Sequence, residues 1–113
     1  METQLELEKN RVEQRNRLAQ VLPEVMKRVG DLTAEVYKDG VLSCKVKRLM
    51  ALALALGTGC KNCILSQTME ALENGATKAE ILETISVVVS MRGTTGVGES
   101  LRVVQLLHEL EKL

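Results

Sequence analysis

The stretch LMALALALGTGCKNCILSQTME, residues 49–70, decides how the chain is read. Its first eight residues alternate Leu or Met with Ala and Leu, a pattern open to a strand or a helix. None is β-branched, and Ala and Leu are strong helix formers, so a helix is expected. That helix is apolar all round and is expected to be buried on most sides. Gly57 and Gly59 then let the chain turn tightly, and Cys60 and Cys63 open a second helix that runs to Asn74-Gly75.

Working outward, Ser43 is placed to cap the helix from about Cys44 to Leu56. Upstream, Val21, Leu22, Val25, Met26, Val29, Leu32 and Val36 recur at helical spacing, with Pro23 in the first turn and Gly40 as the stop. Gly30 marks either a break or a close packing point. Residues 2–17 hold only Leu5, Leu7 and Val12 as apolar positions, so this segment reads as a helix or arm packed on the body or a neighbouring subunit, or as a frayed terminus. Downstream, Thr77 and Glu80 fit a capping box, followed by Ile81, Leu82, Ile85, Val88 and Val89 on one face. RGTTGVG, 92–98, reads as a glycine-rich loop between helices. It lacks a preceding strand and a following Lys-Ser/Thr, so it is not a phosphate loop. A last helix is expected over about 99–113, with Val103, Leu106, Leu107 and Leu110 on one stripe.

The result is an all-α fold, a compact bundle of about five or six helices. The division expected is an N-terminal helix or arm over 1–19 and one domain over 20–113. With 113 residues there is room for one domain. Tyr37 is the one aromatic residue, so the core is aliphatic. Zero formal net charge argues against a nucleic-acid partner. The longest apolar run is too short to span a bilayer. Three cysteines without a secretory leader point to a reducing, cytoplasmic setting. Wide apolar faces on so small a body point to a homo-oligomer.

At the start of a helix, backbone N–H groups and the dipole stabilise a thiolate. A second thiol one turn away then resolves a sulfenic acid or mixed disulfide on the first. The Cys60/Cys63 pair is therefore a candidate redox couple. Two other readings stay open. A zinc site needs two more ligands, for which Cys44 and His108 are the candidates, each alone in its region. The thiols also suit a packed helix junction. His108, on the last apolar stripe, reads as a surface or interface residue.

The span from Lys45 to Gly93 resembles the alkylhydroperoxidase D-like and carboxymuconolactone decarboxylase-like family. The likeness rests on the buried Ala/Leu helix, the Cys-x-x-Cys helix start and the segment ALENGATKAEI, 71–81. It implies an all-helical fold and intertwined oligomers, trimers or hexamers. Cys60 and Cys63 place the chain with the branch that reduces peroxides or disulfides through a thiol cycle. The other branch, which lacks the cysteines, contains lactone decarboxylases. By the same resemblance Cys63 attacks and Cys60 resolves. The helix-dipole argument alone favours Cys60, as the thiol nearer the helix start and the more exposed.

The chain also departs from that family. A Glu twelve residues before the first Cys and a His four after the second relay the thiol proton there. Here Arg48 and Gln67 stand in those places. Arg stays charged and Gln does not titrate, so neither is a general base near neutral pH. Arg48 then reads as a charge that stabilises a thiolate, with Lys61 a possible helper, or as a surface arginine reaching solvent. Gln67 offers a neutral hydrogen bond. The candidate catalytic set is Cys60, Cys63, Arg48 and Gln67, with no metal and no cofactor. The expected activity is that of a thiol-disulfide oxidoreductase or peroxidase-like antioxidant protein. Its partners are a peroxide or disulfide substrate and a thiol electron donor. The alternatives are a non-catalytic binding or assembly module on the same fold and a decarboxylase-like enzyme.

Overall fold

A computed structural model describes residues 2–113, and these form six helices. They are α1 (Gln4–Val21), α2 (Pro23–Val36), α3 (Cys44–Thr58), α4 (Lys61–Glu73), α5 (Lys78–Arg92) and α6 (Thr94–Glu109). No strand occurs among the described residues, so the chain is all-α. The caps read from sequence are present. Ser43 Oγ accepts from Val46 N–H at the start of α3, and Thr77 and Glu80 form a reciprocal capping box on α5.

The core joins α3 to α6. Leu52, Ala55 and Leu56 of α3 meet Ile64 and Ala71 of α4, Ile81 and Val88 of α5, and Val103 and Leu107 of α6. α3 is buried on one side only. Met50 is 51% and Leu54 70% exposed, because they sit on the helix face opposite Leu52 and Leu56. The expectation of a helix buried on most sides is corrected to that extent in the single chain. α2 goes further: its apolar stripe exists, yet none of its residues is buried, and its main helix contact is α1. Gly30 neither breaks α2 nor touches a neighbour; a Cβ there would meet open space.

Two boundaries differ from the sequence reading. RGTTGVG is not a loop. Only Gly93, at φ +58°, breaks the chain, and α6 starts at Thr94, five residues earlier than expected. Gly96 is then a packing residue, since a Cβ there would lie 3.1 Å from the Val88 carbonyl oxygen. The chain between α3 and α4 turns at Gly59, at φ +76°, and not at Gly57, which lies inside α3.

α1 is tied down at its first turn. Thr3 and Glu6 form a capping box there. The Glu109 carboxylate at the end of α6 accepts the backbone N–H groups of Gln4 and Leu5 at 3.0 and 2.9 Å. Arg102 of α6 donates to the buried Gln4 side chain at 3.0 Å. A carboxylate on a helix N-terminus is favoured by both the free N–H groups and the dipole. Desolvation works to raise the Glu109 pKa, but the two backbone donors and the Gln105 amide outweigh it and hold the carboxyl below its ordinary value of 4.5. A lowered folded-state pKa contributes stability above the unfolded value and loses it as pH falls through the folded one. Glu109→Gln is therefore expected to be less stable than the parent at pH 7. The gap should close below about pH 4, read as urea midpoints at both pH values; an equal gap at pH 3 would show that the clamp is not ionic.

Candidate functional site

The site forms where α3 hands over to α4. Gly59 caps α3 in the left-handed region, and its N–H and that of Cys60 both reach the Ala55 carbonyl, at 3.0 and 3.1 Å. The chain reverses there, which makes Cys60 the N-cap residue of α4. Its Sγ accepts the Cys63 N–H at 3.3 Å. Cys60 and Cys63 are joined as a disulfide with their Cα atoms 5.2 Å apart. The expected exposure is reversed: Cys63 is exposed and Cys60 half-buried, because the N-cap position tucks against the turn while Cys63 points off the first turn. Cys63 is thus the more accessible sulfur of the two.

Cys63 opens on a hollow of about 420 Å³ between α4 and α1. From α4 come Asn62, Cys63, Ser66 and Gln67. From α1 come Asn10, Arg11, Gln14, Arg15 and Leu18, which the i, i+4, i+8 spacing sets on one face. No motif marks these α1 residues in the sequence. The Thr3-x-x-Glu6 capping box was the one available signal that the segment is helical. Arg11 is held by Glu8 in a two-pronged ion pair at 2.6 and 2.9 Å, and the Glu8 hydrogen bond raises the guanidinium pKa further.

Arg48 is not a surface arginine. It is 9% exposed, and three groups converge on its guanidinium. Its Cζ lies 3.6 Å from the centre of the Tyr37 ring. One terminal nitrogen donates to Gln67 Oε1 at 3.1 Å, and the other lies 3.7 Å from Glu70 Oε2. Arg48 does not line the hollow, whereas Gln67 does, so Arg48 reaches the wall of the hollow only through its hydrogen bond to Gln67. The two departures noted in the sequence, Arg48 and Gln67, are thus in contact as a cation and an amide. Lys61 is exposed and outside the hollow. Cys44 is a free, half-buried thiol. Among the described residues no three His, Cys, Asp or Glu side chains gather as a metal site. No helix among them is long and apolar enough to cross a membrane.

The model of the carboxymuconolactone decarboxylase family matches residues 23–106. The chain belongs to that family. The backbone agrees with a family member from Legionella pneumophila at a TM-score of 0.87, with 28% identity over 94% of this chain and 95% of that one. A Thermotoga maritima family protein, described with a proposed part in an antioxidative response, superposes at 0.80, with 28% identity over 90% of both chains. An uncharacterized protein of Cupriavidus necator is 34% identical over 70% of each chain. Uncharacterized protein 4 in the cox locus of Paracoccus denitrificans is 32% identical over 71% of this chain and 72% of its own.

Within this family fold, removing the buried guanidinium forfeits a cation–π contact and a charged hydrogen bond. Arg48→Ala is expected to cost about 2–4 kcal/mol in urea unfolding. Arg48→Lys should recover little, since an ammonium cannot stack on Tyr37 and reach two acceptors at once. An unfolding midpoint unchanged in Arg48→Ala would refute the anchoring role.

Proposed function

We propose that the protein is a dithiol oxidoreductase in which Cys60 and Cys63 cycle between dithiol and disulfide. The observation that carries this reading is the Cys60–Cys63 disulfide on the first turn of α4, with Cys63 open to a hollow large enough for a small molecule. The antioxidative role proposed for the Thermotoga maritima relative supports it. In the reduced form the Cys63 thiolate attacks the outer oxygen of a hydroperoxide. The O–O bond breaks, the leaving alkoxide takes from solvent the proton that the thiol released, and Cys63 becomes a sulfenic acid. The Cys60 thiol condenses with it, releasing water and forming the disulfide. A cellular dithiol then supplies two electrons and two protons to restore the pair.

Arg48 is a positioning residue in this scheme. It has only donors, so it takes the Gln67 oxygen and leaves the Gln67 NH2 group as the free end. Gln67 follows Cys63 by four residues on α4, the spacing at which helical side chains meet. The NH2 group then donates to the thiolate. The site thereby favours the ionised thiol without holding a base that removes its proton. Peroxide turnover is accordingly slower than in relatives with Glu and His at these places.

The test is thiol counting by mass after alkylation, in a redox titration of the parent, Cys60→Ser and Cys63→Ser. The parent is expected to gain and lose two mass units at a potential of about −200 to −300 mV. Cys60→Ser should trap an adduct on Cys63, and Cys63→Ser should not react. Thiols that stay reduced and unreactive until the protein unfolds would sink the reading, leaving a binding module.

We also propose that the working form is a homo-oligomer. Val25, Val29, Leu32 and Val36 of α2 are 54%, 39%, 63% and 44% exposed in the single chain, an apolar face too continuous for a monomer. Sedimentation at micromolar concentration should give a multiple of 12.4 kDa; a monomer there would refute the assembly.

A further inference from the structure

The hollow beside Cys63 continues past it. A second hollow of about 340 Å³ shares Arg11, Arg15 and Ser66 with the first and extends to Glu70. Together they form one groove between α1 and α4. Its charges cancel in pairs with one exception. Arg11 is bound to Glu8, and Glu70 faces Arg48. Arg15 has no ion-pair partner among the described residues, is exposed, and lines both hollows. The amide side chains of Asn10, Gln14 and Asn62 line the first hollow with it, Gln14 donating to Asn10 at 3.3 Å and accepting from Arg17 at 3.2 Å. An uncompensated guanidinium in a concave, amide-lined wall attracts a carboxylate and binds it in two-pronged geometry.

We infer that the groove selects small organic disulfides that carry a carboxylate, with Arg15 binding the carboxylate while the disulfide meets Cys63. This inference rests on the dithiol cycle proposed above and names its substrate class. The Cys63 thiolate attacks one sulfur of R–S–S–R, forming Cys63–S–S–R and expelling RS⁻. The Cys60 thiolate then attacks Cys63 Sγ, closing the protein disulfide and expelling the second RS⁻. The pair loses two electrons, the substrate gains two, and the two thiol protons end on the departing thiolates or in solvent.

The experiment measures oxidation rates of the full-length reduced protein by three probes: dithiobis(nitrobenzoate), which is anionic, neutral dithiodipyridine, and cationic cystamine. Intrinsic reactivities differ, so each variant is compared with the parent probe by probe. The readout is the ratio of anionic to cationic rates. Arg15→Ala is expected to lower that ratio about tenfold, Arg15→Glu to lower it further, and Arg15→Lys to keep most of it. The parent's ratio should shrink as salt is raised. Lys27→Ala removes one exposed positive charge from α2, outside the groove, and should leave the ratio unchanged. A ratio indifferent to Arg15, or moved equally by Lys27→Ala, overturns the carboxylate site while leaving the dithiol cycle intact. A parent oxidised by none of the probes overturns both.

Discussion

The structure hangs on a reversal of the chain within two residues, Gly59 and Cys60. Gly59 takes a left-handed conformation that a side chain would strain, and its N–H and that of Cys60 close the end of α3 onto Ala55. So short a turn folds α4 directly back on α3 and brings Leu52, Ala55 and Leu56 against Ile64 and Ala71. The packing of the core and the placement of the thiols are consequences of one corner. The residue that must cap α4 is itself a cysteine, so the scaffold and the chemistry share an atom: Cys60 Sγ closes the first turn and bonds to Cys63.

A second constraint is the buried charge of Arg48. Burying a cation is costly unless it is paired and hydrogen-bonded. Tyr37, Gln67 and Glu70 meet that need from the end of α2 and from α4. The Nε atom remains buried without a partner, so the satisfaction is incomplete. The guanidinium, near the start of α3, therefore ties the end of α2, α3 and α4 together. With Arg48 and Gln67 the chain holds fixed polarity at this place and no group that takes up a proton near neutral pH.

Much of the fold was legible because its signals are local. Ser43, Thr77 and Glu80 announce helix starts by capping chemistry, and Ile81, Val88, Val103 and Leu107 announce buried faces by spacing. The start of α6 was hidden because Gly96 and Gly98 look like loop residues, and only the close approach of Val88 explains a glycine inside that helix. The cysteine pair was legible as a motif, but its relative exposure was not, since that depends on how the turn at Gly59 aims the two side chains. Arg48 could be aligned with a family position, yet nothing in the sequence says that Tyr37 and Glu70 converge on it. The α1 wall was least visible. Its working face is polar, and hydrophobic periodicity is silent about polar faces.

The half-buried setting of Cys60 beside the exposed Cys63 makes Cys63 the more accessible sulfur of the pair. In the dithiol cycle proposed above, oxidant and reductant both meet Cys63, the sulfur that lines the groove beside α1. On that proposal the two share one sulfur, and electrons arrive and depart in alternation. Each donor is then a competitor of each acceptor, and an excess of either slows the whole. The throughput of such a centre is set by the balance of the two pools it serves as much as by the reactivity of its thiols.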